Sequence, residues 1–260
     1  MKKIKKAVIL AGGYGKRMLP ITKAIPKEML PLGRKPVLEH IIEEIQEAGI
    51  HKICIVSRPG KEAISSYFEG YKDIKIIFEH SKSSHCAGII RARDFIDQDD
   101  FLLALGDAPI DGKGANLIIP QLYDLFISKN AVLVTAMFES QSNSESKDNE
   151  NTIRPLKTLG RSILSPQILD LISQENLYSM NDLFSFLVQN QYLLLYSIFD
   201  NCYRYDIGSF KGYFEAFEAY AQKERERDKI IQQLNHSWQT AIQKFPHHLT
   251  EPDSKDNESS

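Results

Sequence analysis

The stretch Ala7-Val8-Ile9-Leu10-Ala11-Gly12-Gly13-Tyr14-Gly15 decides the fold. Its first five residues are apolar without alternation, as in a strand covered on both faces, and the glycines after them turn the chain sharply. Downstream, Pro36 stands where the first helical residue belongs. Val37, Leu38, Ile41, Ile42, Ile45 and Ala48 then recur at three- and four-residue spacing until Gly49 stops the pattern, which predicts an amphipathic helix. Ile53-Cys54-Ile55-Val56 reads as a second buried strand. Residues 7–56 are thus a strand, loop, helix, strand unit with a right-handed crossover.

The alternation continues along the chain. Helices are predicted near Lys61–Phe68, Gly88–Phe95, Leu117–Ile127, Pro166–Ile172 and Asp182–Gln189, and strands at Ile74–Phe78, Phe101–Leu105, Ala131–Met137 and Leu193–Phe199. Such a succession specifies an α/β fold with a mostly parallel sheet covered by helices on both faces. Ser140–Asn151 is almost free of apolar residues and is expected to be a mobile surface loop, and the tail 246–260 reads likewise as disordered. Lys211 to about Phe245 looks helical, with Lys223–Asp228 as a solvent-facing portion. The expected organisation is one domain over 1–220, a helical extension over 221–245 and the tail.

Composition narrows the function classes. With 42% hydrophobic and 25% charged residues the chain sits among ordinary globular proteins. A net charge of -2 gives no global field for a nucleic acid, although a local basic patch could bind small phosphates. Lys2, Lys3, Lys5 and Lys6 precede the first strand and read as its solvated entrance. The three cysteines, Cys54, Cys86 and Cys202, are far apart and form no Cys-x-x-Cys pair, so neither a disulfide framework nor a zinc cluster is indicated and a reducing cytoplasm fits. The apolar run Ala7–Ala11 is too short for a signal segment or a membrane span, so no membrane role is expected.

Glycines directly after a buried strand let backbone amides approach a bound group with no Cβ in the way, and phosphate or nucleotide is the natural ligand. The run is not a Walker loop, since no Gly-Lys-Ser/Thr comes after it, nor a dinucleotide fingerprint, since Met18 occupies the third glycine position. The chain continues as Lys16-Arg17-Met18-Leu19-Pro20-Ile21-Thr22-Lys23-Ala24-Ile25-Pro26-Lys27-Glu28-Met29-Leu30-Pro31, four cations and three prolines in one loop. The prolines restrict the chain and help to preorganise the cations for a polyphosphate. Arg17 can bind two phosphate oxygens through its planar fork, and Lys27 acts as a point charge. Further on, Asp107 comes just after the buried strand Phe101–Leu105 at the carboxyl end of the sheet, where open α/β folds bind ligands. Asp206, in Arg204-Tyr205-Asp206-Ile207-Gly208-Ser209, also lies between a strand and a helix. An aspartate at such a position is either a turn former or a ligand for a hard cation.

Ala11–Pro20 and Thr22–Pro31 resemble the signature of the bacterial UTP–glucose-1-phosphate uridylyltransferases, a family of sugar nucleotidyltransferases with a Rossmann-like fold. Tyr205–Tyr213, Leu159–Pro166 and Asn181-Asp182-Leu183 resemble that family's later motifs, so the similarity spans most of residues 4–220. The resemblance implies that Ala11, Gly12, Gly13, Gly15, Arg17 and Glu28 bind the nucleotide and that Arg17 and Lys27 are catalytic, Lys27 bridging nucleotide and sugar phosphates. It implies that Asp107 and Asp206 hold Mg²⁺. The implied partners are UTP and a sugar 1-phosphate, with glucose 1-phosphate foremost; self-association is left open.

Two places depart from the family pattern. Ser84-His85-Cys86-Ala87-Gly88 stands where relatives carry a second glycine-rich stretch, of Gly-Leu-Gly-His-Ala type, leaving the choice between UTP and dTTP open. Adjacent residues on a loop seldom face one site, so His85 and Cys86 are not read as a nucleophile pair or as metal ligands. After Met137, Ser140–Asn151 and Thr152-Ile153-Arg154-Pro155-Leu156-Lys157 replace an excursion with a Glu-Lys-Pro element, and Arg154 or Lys157 is the candidate substitute phosphate contact. Two expectations result: an active uridylyltransferase, or a nucleotide-binding or regulatory relative without a complete sugar-phosphate site.

Overall fold

The computed structural model describes residues 4–80, 84–139 and 155–244. Strand β1 (Lys6–Leu10) leads into three single 3₁₀ turns and a short ribbon, β2 (Pro31–Leu32) and β3 (Lys35–Pro36), before helix α1 (Val37–Glu47). Then come β4 (Lys52–Ser57), α2 (Glu62–Tyr67), β5 (Ile74–Phe78), α3 (His85–Arg91), α4 (Arg93–Ile96) and β6 (Phe101–Leu105). The remainder is β7 (Ile110–Gly112), α5 (Ile118–Lys129), β8 (Leu133–Glu139), β9 (Leu156–Leu164), α6 (Gln167–Gln174), α7 (Met180–Gln189), β10 (Leu194–Ile198), β11 (Cys202–Arg204) and α8 (Phe210–Lys244).

Among the described residues, seven strands form the central sheet in the order β10-β8-β9-β6-β1-β4-β5. Every neighbouring pair is parallel except those of β9, which runs antiparallel to both β6 and β8. The α/β reading with a mostly parallel sheet therefore holds. Along β1, β4 and β6, Val8, Cys54, Val56, Phe101 and Leu103 enter one apolar cluster with Ile89 of α3, Ile168 of α6 and Leu183 of α7. The residues of opposite parity, Ala7, Ile9, Ile53, Ile55, Leu102 and Ala104, are also fully buried, so both faces are covered, as continuous apolar runs require. Burial of Val37, Leu38, Ile41, Ile42 and Ile45 anchors α1, each side chain contributing about 1.5–3 kcal/mol.

Several local expectations shift. Pro36 is the N-cap of α1, extended at ψ 154°, and Val37 is the first helical residue. The helix expected over Gly88–Phe95 is two short helices that meet at Ala92, the first of them starting at His85 with Ser84 as its cap. Lys6 is not merely a solvated entrance: its ammonium donates to Ile96 O at 3.0 Å and pairs with Asp99 at 2.8 Å, tying β1 to the end of α4. Lys2, Lys3, the stretch Ser140–Asn151, Arg154 and the tail 246–260 lie outside the described residues.

Met1–Phe217 and Glu218–Ser260 are two compact units, and α8 contributes residues to each. In the second unit, Ile230, Ile231, Leu234 and Trp238 of α8 are exposed. Among the described residues no helix is long and apolar enough to cross a membrane.

Candidate active site

Leu10, Val56 and Leu105 stand in register at the carboxyl ends of β1, β4 and β6. The chain leaves these strands side by side: Ala11 N donates to Val56 O at 2.8 Å and Gly106 N to Leu10 O at 2.9 Å. The glycine turn and Asp107 are consequently neighbours, although they are far apart along the chain. Gly15 has φ +64°, and a Cβ there would stand 2.8 Å from Thr22 Cγ2, whose hydroxyl donates to Gly15 O. A Cβ at Gly13 would stand 3.2 Å from Lys27 Nζ, so a bare backbone at this point leaves room for the lysine.

Pro26 caps the 3₁₀ turn Lys27–Met29, from which the side chains of Lys27 and Glu28 diverge. Lys27 pairs with Asp107. Glu28 is buried and accepts from Lys61, whose ammonium reaches both carboxylate oxygens at 2.8 and 2.7 Å and also donates to Ala11 O at 2.7 Å. Lys61 thus fastens the glycine turn to the Lys27 turn from beneath. Motif reading misses it; the only signal is a lysine after Pro59-Gly60 at the start of a helix.

Asp206 arrives from the far end of the chain on a small ribbon. β11 pairs antiparallel with β7, Arg204 opposite Ile110, and Tyr205 N donates to Pro109 O at 3.1 Å. Its carboxylate takes both terminal nitrogens of Arg17, at 2.9 and 3.2 Å. A second brace supports Asp107. Arg161 of β9, fully buried, donates to Ala108 O at 3.2 Å and grips Glu44 of α1 at 2.9 and 2.7 Å. In sequence this segment stands out as a family motif rather than as a strand, and nothing there marks Arg161 as a brace.

An open cavity of about 320 Å³ lies over this floor, lined by Gly12, Gly13, Lys27, Glu28, His85 and Asp107 among others. His85 and Cys86 sit in the first turn of α3, not on a loop, and they do diverge: His85 lines the cavity while Cys86 is buried and donates to Ser179 O. Lys157 is exposed on β9, opposite Phe138. Cys54, Cys86 and Cys202 are all buried and free of disulfides.

The charges respond to this packing. Burial disfavours the ammonium of Lys27, but Asp107 and Glu28, with Asp206, more than offset it and hold its pKa above the ordinary lysine value. Burial likewise works against the Asp107 carboxylate, yet Lys27 overcomes it and holds the carboxyl below the ordinary aspartate range. At the deeper pair burial dominates: it raises Glu28 and lowers Lys61 in spite of their mutual attraction. The His85 imidazole is pushed down by burial, with Asp107 opposing and Lys27 reinforcing the shift.

Asp107 pairs directly with Lys27, and the negative charge of Asp206 also favours its ammonium, so two carboxylates act on one cation. No group of three or more His, Cys, Asp or Glu side chains is arranged for a metal among the described residues. Two carboxylates without a full protein cage suit Mg²⁺, which is commonly held by one or two carboxylates together with substrate phosphates.

Residues 6–147, more than half of the chain, match the nucleotidyl transferase family, and the chain belongs to it. Among curated proteins it is similar to the UTP–glucose-1-phosphate uridylyltransferase of Staphylococcus epidermidis, 29% identical over 89% of this chain and 97% of the relative. The enzyme of the same name from Staphylococcus haemolyticus is 27% identical over the same shares. Among solved structures, a UDP-glucose pyrophosphorylase complexed with UDP-glucose superposes with TM-score 0.71 at 26% identity, covering 85% of this chain and all of that one. A UTP-bound UGPase from Acinetobacter baumannii gives TM-score 0.73 at 20% identity, over 89% of this chain and 100% of the other.

Proposed function

We propose that this chain is a uridylyltransferase joining UTP and a sugar 1-phosphate, glucose 1-phosphate foremost, into a UDP-sugar with release of pyrophosphate. The observation that carries the reading is the Lys27–Asp107 pair on the floor of an open cavity, beside backbone glycines. The similarity to uridylyltransferases over nearly their whole length supports the same reaction.

An oxygen of the sugar 1-phosphate attacks the α-phosphorus of UTP; the bond from that phosphorus to the α–β bridging oxygen breaks, and pyrophosphate leaves with the electron pair. The nucleophile is already an anion near neutral pH, so no general base is needed and catalysis consists of positioning and charge neutralisation. Lys27, held in direction by Asp107, lies where it can neutralise the phosphates that meet. Arg17 offers a planar fork to the polyphosphate, and the backbone of Gly12, Gly13 and Gly15 borders its path, while Ala11, its amide committed to Val56 O, anchors the turn. Glu28 serves the nucleotide site indirectly, through Lys61. Asp107 and Asp206 would hold Mg²⁺, which when bound supplies further neutralisation of the polyphosphate. The buried cysteines, free of disulfides, fit a reducing compartment, and we assign the reaction to the cytoplasm.

The test is release of pyrophosphate from UTP with Mg²⁺ across a panel of sugar 1-phosphates, with dTTP as the competing donor. Release is expected to depend on both Mg²⁺ and the sugar phosphate. A chain that binds UTP yet releases nothing with any member of the panel is a binding relative, and the uridylyltransferase reading is then wrong.

A further inference from the structure

Arg58, just beyond β4, is a cation that the reaction described above does not use. Its guanidinium carbon lies 3.4 Å from the centroid of the Tyr14 ring, and Lys16 Nζ lies 5.4 Å from the same centroid. Stacking on an aromatic face leaves the in-plane N–H edge of a guanidinium available for hydrogen bonds. Yet Arg58 Nη1 is buried and has no hydrogen-bond partner among the described residues. A buried charged donor left in that state is costly, and it points to an acceptor that arrives from outside.

The surroundings say which acceptor. Arg58 lines the main cavity together with Gly12, Gly13, Lys27 and Asp107. It also lines an adjoining recess of about 230 Å³, with Gly13, Tyr14, Gly15, Lys27 and Lys61. Gly13, Lys27 and Arg58 are common to both spaces. The main cavity contains Asp107 and Glu28, whereas the described lining of the recess contains no carboxylate. A polyanion whose reacting end lies at Lys27 and Asp107 can run on into a space where the side-chain charges are all positive.

We infer that Arg58, stacked on Tyr14, is a further substrate-binding residue, and that it receives the outer two phosphates of the nucleoside triphosphate, the part that leaves as pyrophosphate. This rests on the nucleotidyl transfer reading above and extends it to the leaving-group end of the site. Tyr14 is a positioning residue: it holds the guanidinium face so that the N–H edge meets phosphate oxygens. The planar fork is the working part, because it offers two parallel donors to a phosphate where an ammonium offers a point charge.

The experiment is calorimetric titration of the full chain with inorganic triphosphate, UTP and UMP in Mg²⁺, for wild type, R58Q, R58K, Y14F and Y14L, each checked for native circular dichroism. R58Q is expected to weaken triphosphate and UTP about ten-fold or more, the scale of a lost charge-assisted hydrogen bond, and to leave UMP unchanged. R58K is expected to fail as R58Q does, since it keeps the charge and loses the fork. Y14F should bind as wild type, while Y14L should weaken triphosphate by roughly two- to five-fold, the scale of an exposed cation–π contact. If R58Q or R58K binds triphosphate as tightly as wild type, or if R58Q weakens UMP equally, the assignment is overturned while UTP-dependent pyrophosphate release by wild type still stands. A wild type that binds neither UTP nor triphosphate overturns both readings.

Discussion

Two ion pairs flank the glycine turn, and they are built in opposite ways. Glu28 and Lys61 are almost sealed, with side chains 1% and 9% exposed, and together with Ala11 O they make a closed set of hydrogen bonds. Arg17 and Asp206 meet in the open, 67% and 43% exposed, and the carboxylate alone holds the arginine fork among the described residues. The first pair is fully engaged in its own hydrogen bonds and almost buried, so it acts as foundation. The second can exchange its partners readily, because an exposed pair in water is worth little and a phosphate offers the fork the same geometry. Lys27–Asp107 lies between them, 12% and 25% exposed, set by the foundation and open to the cavity. The donor side of the site is thus preorganised in depth and adjustable at its rim.

Removing the foundation is expected to have the largest effect. Lys61→Met leaves Glu28 buried without its partner, and loss of one member of such a pair destabilises by about 3–5 kcal/mol in urea unfolding at neutral pH. The deficit should shrink on acidification. A carboxyl whose native pKa is raised favours the folded state below the unfolded value and loses that advantage as pH rises through the native one, and Glu28 is already raised by burial. A deficit independent of pH would separate Lys61 from Glu28.

The middle pair is expected to act on rate. Lys27→Ala should lower pyrophosphate release by about 10²- to 10³-fold, the scale of one lost electrostatic donor at a transition state, with a native circular dichroism spectrum. Asp107→Ala should also remove most turnover while leaving the protein folded. Asp107 also gives a pH signature opposite to that of Glu28. Its native pKa is lowered, so its stabilisation is present above the ordinary carboxylate range and disappears as pH falls through the native value. Asp107→Asn should therefore flatten the acid limb of stability against pH in urea titrations, and an unchanged limb would contradict the Lys27 pairing.

At the rim the effect on stability should be smallest. Arg17→Gln is expected to shift unfolding by under about 1 kcal/mol, as for exposed pairs in general, while raising the UTP concentration needed for half-maximal rate. A large stability loss would mean that the Arg17–Asp206 pair is structural after all.

The uneven legibility of the sequence has the same division. The glycine turn, Lys27 and Arg17 are readable because they are contiguous, and the parallel strands because each is an unbroken apolar run. β9 escapes such a reading because Lys157, Thr158, Arg161 and Ser162 interrupt it, and Arg161 is tolerated in the core only through Glu44 and two backbone carbonyls. Lys61 and Arg58 are silent for a related reason. Their meaning lies in partners far along the chain, Glu28 and Ala11 for one and Tyr14 for the other. Asp107 and Asp206 are visible singly, but the device that brings them together is a ribbon of three-residue strands too short to leave a periodic signal.

The most direct test of foundation against rim is a crystal structure of the chain with UTP and Mg²⁺. Lys61 is expected to keep all its contacts to Glu28 and Ala11 O, while Arg17 leaves Asp206 and turns its fork to the polyphosphate. An Arg17–Asp206 pair intact beside bound UTP, or a Glu28–Lys61 pair opened by it, would contradict that division of labour.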